Sequence, residues 1–198
     1  MLKIPVLLKG KIMNRKKYTE SVTLGQVKQN PQISLQPYDT GWIKSYREEE
    51  EERIKTALQE KALLIEHVGS TSVPGLSSKP IIDILLLVRD SSKEDDYVPN
   101  LITKGYVLRI REPEWYEHRM FKSKTKDINL HVFSLGCKEA QEMLNFRNWL
   151  RINDHDRLQY EAAKQELVSK KWQTVQEYAD AKTPIVKRIK ERANNYFS

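Results

Sequence analysis

The sequence contains little cysteine and no long apolar segment. Cys137 is the only cysteine among 198 residues, which excludes a disulfide within the chain and fits a reducing compartment. No run of about 18 apolar residues is present, so we expect no membrane-spanning helix. The N-terminus also lacks the order of a signal peptide, in which charge precedes a longer apolar stretch and a small-residue cleavage site. These absences predict a cytoplasmic protein that does not enter a membrane.

Acidic residues are scarce at the N-terminus, where most of the net charge of +7 is found. Residues 1–30 contain seven Lys or Arg and one Glu, which leaves a net charge of only +1 for residues 31–198. A basic tail can contact an anionic partner such as a nucleic acid. A solvated extension is the simpler interpretation, so a nucleic acid is not the expected partner. The length predicts one domain, over residues 31–198, preceded by a basic N-terminal extension over residues 1–30.

The apolar patterns predict an α+β domain. A helix is predicted over residues 39–60, with the acidic block at residues 48–52 on its exposed surface. A shorter helix is predicted over residues 93–104, and helices fill the C-terminal third. Five strands are predicted, in the segments ALLIEHVG, KPIIDILLLV, YVLRIR, EHRMFK and INLHVFSL. The second of these segments is almost continuously apolar and therefore belongs in the centre of the sheet. The predicted fold is a mixed β-sheet flanked by helices.

The segment IEHVGSTSVPGLSSKPIIDILLLV, at residues 65–88, carries the candidate chemistry. Gly69 permits a sharp turn where the first strand ends. The turn then offers hydroxyls and backbone N–H groups that can cradle a phosphate, at Ser70, Thr71 and Ser72. Asp83 follows on the apolar second strand, where a buried carboxylate is costly unless it is paired or binds a cation. Hydrogen bonding to the local backbone is the alternative, and we favour metal or substrate binding.

This pattern resembles the signature of the nucleotidyltransferase superfamily, in which a Gly-Ser after one strand precedes an Asp on the next. More narrowly, IEHVGSTSVPGLSSKPIIDI is similar, almost letter for letter, to the hallmark of the GrpB family. Further matches are YDTGW at 38–42, HRMFK at 118–122, NLHVF at 129–133, FRNWLR at 146–151, Tyr160 with Lys164, and Tyr178 with Lys182. The resemblance runs from Ile33 to the C-terminus and leaves residues 1–30 outside.

The resemblance implies a nucleotidyltransferase-like protein that binds a nucleotide or another phosphorylated small molecule. As an enzyme it would move a nucleoside monophosphate onto an acceptor, with Asp83 and Arg119 as the catalytic residues. The implied phosphate-binding residues are Gly69, Ser70, Thr71, Ser72 and Lys79. The implied cofactor is a divalent metal ion, Mg²⁺, Mn²⁺ or Zn²⁺, held by Asp83.

The metal ligands depart from the superfamily pattern. Leu85 stands where a second carboxylate is expected, and His131 stands in place of the third. Asp83 and His131 together suit Mn²⁺ or Zn²⁺ better than Mg²⁺, which prefers oxygen ligands. Glu66 or His67 could complete the site, and strand alternation does not say which of them faces the interior.

The missing carboxylate motivates a second hypothesis, a non-catalytic descendant of the fold that binds the same class of ligand. Some members of the GrpB family are joined to a dephospho-coenzyme A kinase domain, which suggests a link to cofactor metabolism. The phosphate-binding run G-x-x-x-x-G-K-[ST] of such a kinase is not found in this sequence.

Overall fold

A computed structural model describes residues 7–8, 11–12, 15–26 and 32–198 of the chain. Two short strands, β1 (Leu7–Leu8) and β2 (Lys11–Ile12), pair with each other in antiparallel fashion. Helix α1 (Arg15–Val22) follows them. Part of the predicted basic extension lies outside the described residues, and the proposed boundary near residue 30 stays a prediction.

Five strands form one mixed sheet, as the sequence predicts. They are β3 (Leu64–Val68), β4 (Ile82–Val88), β5 (Tyr106–Glu112), β6 (His118–Ser123) and β7 (Ile128–Ser134). Their order across the sheet is β3-β4-β7-β6-β5. The β4–β7 pair is parallel, and the other neighbours are antiparallel. The almost continuous apolar run of β4 therefore lies between two other strands, where both of its faces can be buried.

Helices cover both faces of this sheet and form the C-terminal third of the chain, so the predicted α+β class is confirmed. Helix α2 (Gly41–Ser45) continues through a π-helical segment (Tyr46–Glu50) into α3 (Glu51–Leu58). The helix predicted over residues 93–104 is shorter, consisting of a 3₁₀ turn (Glu94–Asp96) and α4 (Val98–Thr103). The remaining helices are α5 (Lys138–Ile152), α6 (Asp154–Val168), α7 (Val175–Ala181) and α8 (Thr183–Phe197). In the ranges that the structure describes, no helix is long and apolar enough to cross a membrane.

The acidic block at residues 48–52 is not wholly exposed, contrary to the prediction, because Glu50 is fully buried. Tyr106 Oη donates a 2.5 Å hydrogen bond to Glu50 Oε2. The buried positions of this helix recur every fourth residue, at Trp42, Tyr46, Glu50, Ile54 and Leu58. Four residues rotate an α-helix by about 40° more than one turn. The wider π-helical segment offsets this drift and keeps Glu50 on the buried side.

The two sheet faces pack against different helices. On one face Ile84 and Leu86 of β4 join the core formed with α2, α3 and α4. On the other face Leu85 packs with Ala140 of α5. A third cluster joins Val73, just after the Gly-Ser turn, to the C-terminal helices. Asp83 alternates with Ile84 and therefore lies on the face that α5 covers, beside the turn that the third cluster anchors.

The segment after β2 packs along the edge strand β5. Tyr18 Oη donates a 2.7 Å hydrogen bond to Glu112 Oε1, and Leu24 N donates a 2.8 Å bond to Arg109 O. Tyr18 is 5% exposed. Residues 18–24 therefore belong to the packed structure.

Candidate functional site

Strand β3 ends in a turn that passes directly over Asp83. Gly69 has φ +70° and ψ −173°, a backbone conformation that is open essentially only to glycine. A Cβ atom added at Gly69 would lie 2.9 Å from Asp83 Cβ and closer still to Oδ2. The close approach of backbone and carboxylate explains why this position needs a glycine.

Asp83 is held between two side chains of β7. Asn129 Nδ2 donates a 2.8 Å hydrogen bond to Asp83 Oδ1, and His131 Nε2 lies 3.6 Å from the same oxygen. Burial raises the pKa of Asp83, but His131 when its ring is protonated, the Asn129 hydrogen bond and the positive charge of Lys182 outweigh it, so the net pKa lies below its usual value. The side chain is 28% exposed, so an ionised carboxylate here is accessible to a ligand.

The hydroxyls of the 3₁₀ turn Ser70–Ser72 have different roles. Thr71 Oγ1 donates to Ile81 O at 3.0 Å, and Ser72 Oγ donates to Gly69 O at 2.6 Å. Both side chains are buried, so they hold the turn in place. Ser70 is partly exposed, and no hydrogen bond of its hydroxyl is found within the described residues. Of the three predicted phosphate-binding hydroxyls, Ser70 is therefore the one open to a ligand.

His67 lies on the sheet face opposite Asp83. Its Nε2 is 3.0 Å from Thr71 Oγ1, and its ring centroid is 5.1 Å from that of Tyr46. Because the Thr71 hydroxyl donates to Ile81 O, His67 Nε2 carries the proton and donates to Thr71. Burial lowers the pKa of His67 to about 4, although the Asp83 charge opposes the shift. The structure thus places His67 as a support for the turn and does not bring it beside His131.

Glu66 shares the sheet face of Asp83 but is paired with a helix. Arg147 Nη1, on α5, donates to Glu66 Oε2 at 2.6 Å and to His67 O at 2.8 Å. Arg147 is 7% exposed. This ion pair fastens β3 to α5, and the structure does not bring Glu66 to Asp83 as a third ligand.

Arg119 lies on the opposite face of β6 from the site. Its Nε donates to Glu94 Oε1 at 2.6 Å, and its Nη2 donates to Glu117 Oε2 at 3.1 Å. It pairs in register with Val132, which belongs to the core under α2 and α3. The structure therefore does not bring Arg119 and Asp83 together.

Lysines gather at the Asp83 end of the sheet. Burial lowers the pKa of Lys79, and the charges of Lys182 and Lys122 lower it further. Lys122 pairs with Asn129, next to Asp83. Burial, with the charge of Lys182, lowers the pKa of Lys164 to about 7. Lys182 thus repels both Lys79 and Lys164, and an anionic ligand would relieve this repulsion.

A buried series of polar side chains extends from Asp83 across the sheet. His131 Nδ1 is 3.1 Å from His118 Nε2, and His118 Nδ1 is 2.7 Å from Glu112 Oε2. His118 is fully buried and Glu112 is 1% exposed. The His118 ring stacks on Phe133 and meets Trp115 edge-on. Neither Glu112 nor His118 was among the predicted site residues, although alternation along β6 already places His118 on the face away from Arg119.

The donor atoms fit a cation that takes other ligands from elsewhere. Among the described residues, no group of three or more His, Cys, Asp and Glu side chains could hold a metal ion. Asp83 Oδ1 and His131 Nε2 supply two donors, and the buried Asn129 Oδ1 close by has no hydrogen-bond partner in the described part of the chain. Two protein donors suffice when phosphate oxygens and water complete the coordination, as is common for Mg²⁺.

The fold and this turn define an α+β protein with a candidate phosphate site at one end of its sheet. The family model described as GrpB protein matches residues 32–192. The UPF0157 protein BH1888 of Halalkalibacterium halodurans is 54% identical over 88% of this chain and 90% of its own length. The conserved protein GrpB from Enterococcus faecalis is 28% identical, with a TM-score of 0.69, over 83% of this chain and all of that structure. The chain belongs to the GrpB family.

Two further proteins are more distantly similar to this chain. A dephospho-CoA kinase of Mycolicibacterium paratuberculosis is 26% identical over 89% of this chain, which spans 49% of that protein. The structure of Cid1 in complex with the UTP analog UMPNPP has 11% identity and a TM-score of 0.40, over 71% of this chain and 44% of Cid1.

Proposed function

We propose that this protein binds a nucleotide or another phosphorylated small molecule together with a divalent metal ion, at the Asp83 end of the sheet. One observation carries the proposal. The accessible carboxylate of Asp83 faces His131 at 3.6 Å, under the Gly69 turn and close enough to Lys182 for that charge to lower its pKa. A cation and a phosphate can thus be held side by side.

The phosphate end of the ligand would meet the Ser70 hydroxyl and the lysine side chains at Lys79, Lys122 and Lys182. Thr71 and Ser72 act indirectly, since their buried hydroxyls hold the turn. Asp83 and His131 would hold the metal ion, and the bound ion would neutralise phosphate charge and polarise a phosphoryl oxygen. The mixed nitrogen and oxygen donors favour Mn²⁺ or Zn²⁺ over Mg²⁺.

Binding without turnover is the second candidate function, and Leu85 is the observation that favours it. Leu85 is fully buried and lies two residues after Asp83 on the same strand face, where an active nucleotidyltransferase would carry another carboxylate. A transferase would consume a nucleoside triphosphate with an acceptor, whereas a binding protein would return it unchanged. The relative named dephospho-CoA kinase makes dephospho-CoA one of the ligands to test.

Calorimetric titration of nucleoside triphosphates and dephospho-CoA, with and without Mn²⁺, tests the proposal. We expect the phosphorylated ligand to bind more tightly when the metal is present, and Asp83→Asn to lose this gain. Asp95→Asn is the matched control because Asp95 is exposed on the 3₁₀ turn before α4. Binding that is equal in both variants, or absent with every ligand and metal, contradicts the proposal.

A second pair of variants separates phosphate binding from metal binding. Lys182→Met should lower the affinity for the phosphorylated ligand at least tenfold even without metal, since a charge-assisted hydrogen bond contributes about 1.5–3 kcal/mol. Lys171→Met, at an exposed position, should leave the affinity unchanged. Analysis of the ligand after incubation then distinguishes a transferase from a binding protein.

A further inference from the structure

His131 lies between two groups that can each accept a hydrogen bond from its ring. His118 Nε2 is 3.1 Å from His131 Nδ1, and Asp83 Oδ1 is 3.6 Å from His131 Nε2. A neutral imidazole carries one ring proton and can donate on one side only. The other ring nitrogen then presents a lone pair.

The state of His118 decides which side is used. Tyr18 Oη donates to Glu112 Oε1 at 2.7 Å, and His118 Nδ1 lies 2.7 Å from Glu112 Oε2. An ionised carboxylate only accepts hydrogen bonds, so a neutral His118 carries its proton on Nδ1 and offers a lone pair at Nε2. That lone pair accepts a hydrogen bond from His131 Nδ1–H. The 3.1 Å between these two nitrogens is a hydrogen-bond distance, whereas the 3.6 Å between His131 Nε2 and Asp83 Oδ1 is not.

We propose that Glu112 and His118 are positioning residues, which fix His131 as the tautomer protonated on Nδ1 and thereby aim a bare Nε2 at Asp83. Two acceptors, the Nε2 lone pair and a carboxylate oxygen, then face each other. This arrangement is suited to a shared cation and is unfavourable without one. Metal-binding histidines commonly donate their other N–H to a carboxylate or carbonyl group, and here a second histidine stands between His131 and the carboxylate. The metal-binding part of this inference rests on the proposed function, whereas the tautomer does not.

The fixed His131 tautomer makes the site more selective for a metal ion with nitrogen affinity. A fixed lone pair at Nε2 binds Mn²⁺ or Zn²⁺ without first losing a proton or rotating the ring. Because His118 is fully buried, water does not compete for the His131 Nδ1 proton. The two rings are also nearly parallel, with 5.3 Å between the His118 and His131 centroids.

The test is the ¹⁵N spectrum of the histidine rings, since protonated and bare ring nitrogens have well-separated chemical shifts. The chain has only four histidines, so assignment by single substitution is practical. At about pH 8, above the ordinary imidazole pKa of about 6.5, we expect His131 to be protonated on Nδ1 and bare at Nε2. In His118→Phe we expect the proton to move to Nε2, toward Asp83, and Mn²⁺ affinity in the presence of ATP to fall roughly 10- to 100-fold. His155→Phe, at a residue whose side chain is 77% exposed, is the control.

The outcomes separate this inference from the proposed function. A wild-type His131 protonated on Nε2, or a tautomer unchanged in His118→Phe, overturns the positioning role even when metal binds. If the expected tautomers are found but no metal binds, the positioning role stands and the metal site is rejected. The wild-type spectrum decides the tautomer by itself if the variant does not fold.

Discussion

Gly69 and Asp83 are in such close contact that the backbone of one excludes any side chain larger than hydrogen. A Cβ at Gly69 would lie 2.9 Å from Asp83 Cβ, and the glycine has φ +70°. The turn and the carboxylate are therefore a single unit, in which neither can move without displacing the other.

Gly69→Ala should destabilise the protein by roughly 2–4 kcal/mol, from backbone strain and the clash together. It should also abolish ligand binding, because Asp83 must move. Gly75→Ala is the matched control, with φ +76° but nothing within 4 Å of the added Cβ. The control should cost about 1–2 kcal/mol and keep binding. Urea denaturation and calorimetry measure both effects, and equal losses in the two variants would refute the contact as the cause.

Alanine substitutions at Ser70 and Ser72 should affect ligand binding and stability separately. Ser70→Ala should change the free energy of unfolding by less than about 0.5 kcal/mol and weaken a phosphorylated ligand on the order of tenfold. Ser72→Ala removes the 2.6 Å bond to Gly69 O and should cost about 1 kcal/mol of stability. A large loss of stability in Ser70→Ala would show that its hydroxyl holds the fold.

His67 should make the protein less stable in mild acid. The folded pKa of about 4 lies below the unfolded value of about 6.5, so below pH 6.5 the unfolded chain binds a proton that the folded chain does not. This contribution to stability is complete above pH 6.5 and is lost as the pH falls toward 4. Between pH 8 and pH 5 the loss should be about 2 kcal/mol.

Denaturation of His67→Gln at both pH values checks the source of this loss. The variant should lose about 2 kcal/mol less than the wild type over the same interval. His155→Gln, at an exposed histidine, should behave like the wild type. The assignment fails if His67→Gln keeps the full pH dependence.

Tyr106→Phe should cost about 2–3 kcal/mol, because it leaves the buried Glu50 Oε2 without its hydrogen-bond donor. Glu50 is fully buried, and its other oxygen lies 3.2 Å from Arg53 Nη1. Tyr116→Phe, at a residue that is 47% exposed, should have little effect. Thermal and urea denaturation compare the two, and equal stabilities would mean that Glu50 does not depend on Tyr106.

The fold follows from patterns that are local in the sequence. The apolar run of β4 and the alternation in INLHVFSL each predict a strand, and the second places Asn129, His131 and Phe133 on one face, as observed. Alternation along β6 also places Arg119 on the face opposite His118 and Lys122, a local signal that bears on the prediction of Arg119 as a catalytic residue. The burial of Glu50 depends on a π-helical segment. The local apolar pattern shows only that the buried positions recur every four residues and does not by itself predict a π-helix.

The series of polar side chains from Asp83 to Glu112 could not be predicted, because it depends on the register of four strands. His131 pairs with Met120 on β6, and Glu112 meets His118 only because β5 contains an irregularity between Leu108 and Ile110. A shift of one residue would turn each side chain to the other face. The lysines present a related difficulty, since Lys182 reaches Asp83 only through the packing of the C-terminal helices.

The parallel pairing of β4 with β7 also has a consequence for the order in which the protein forms during synthesis. Asp83 is made early, but its partners Asn129 and His131 come only after β5 and β6, and Lys182 follows three further helices. A ribosome-bound chain that has just completed β4 carries Asp83 beside β3 but lacks β7, the neighbouring strand with Asn129 and His131. The candidate binding site is therefore among the last features to assemble, and ligand binding by nascent chains would report that folding is nearly complete.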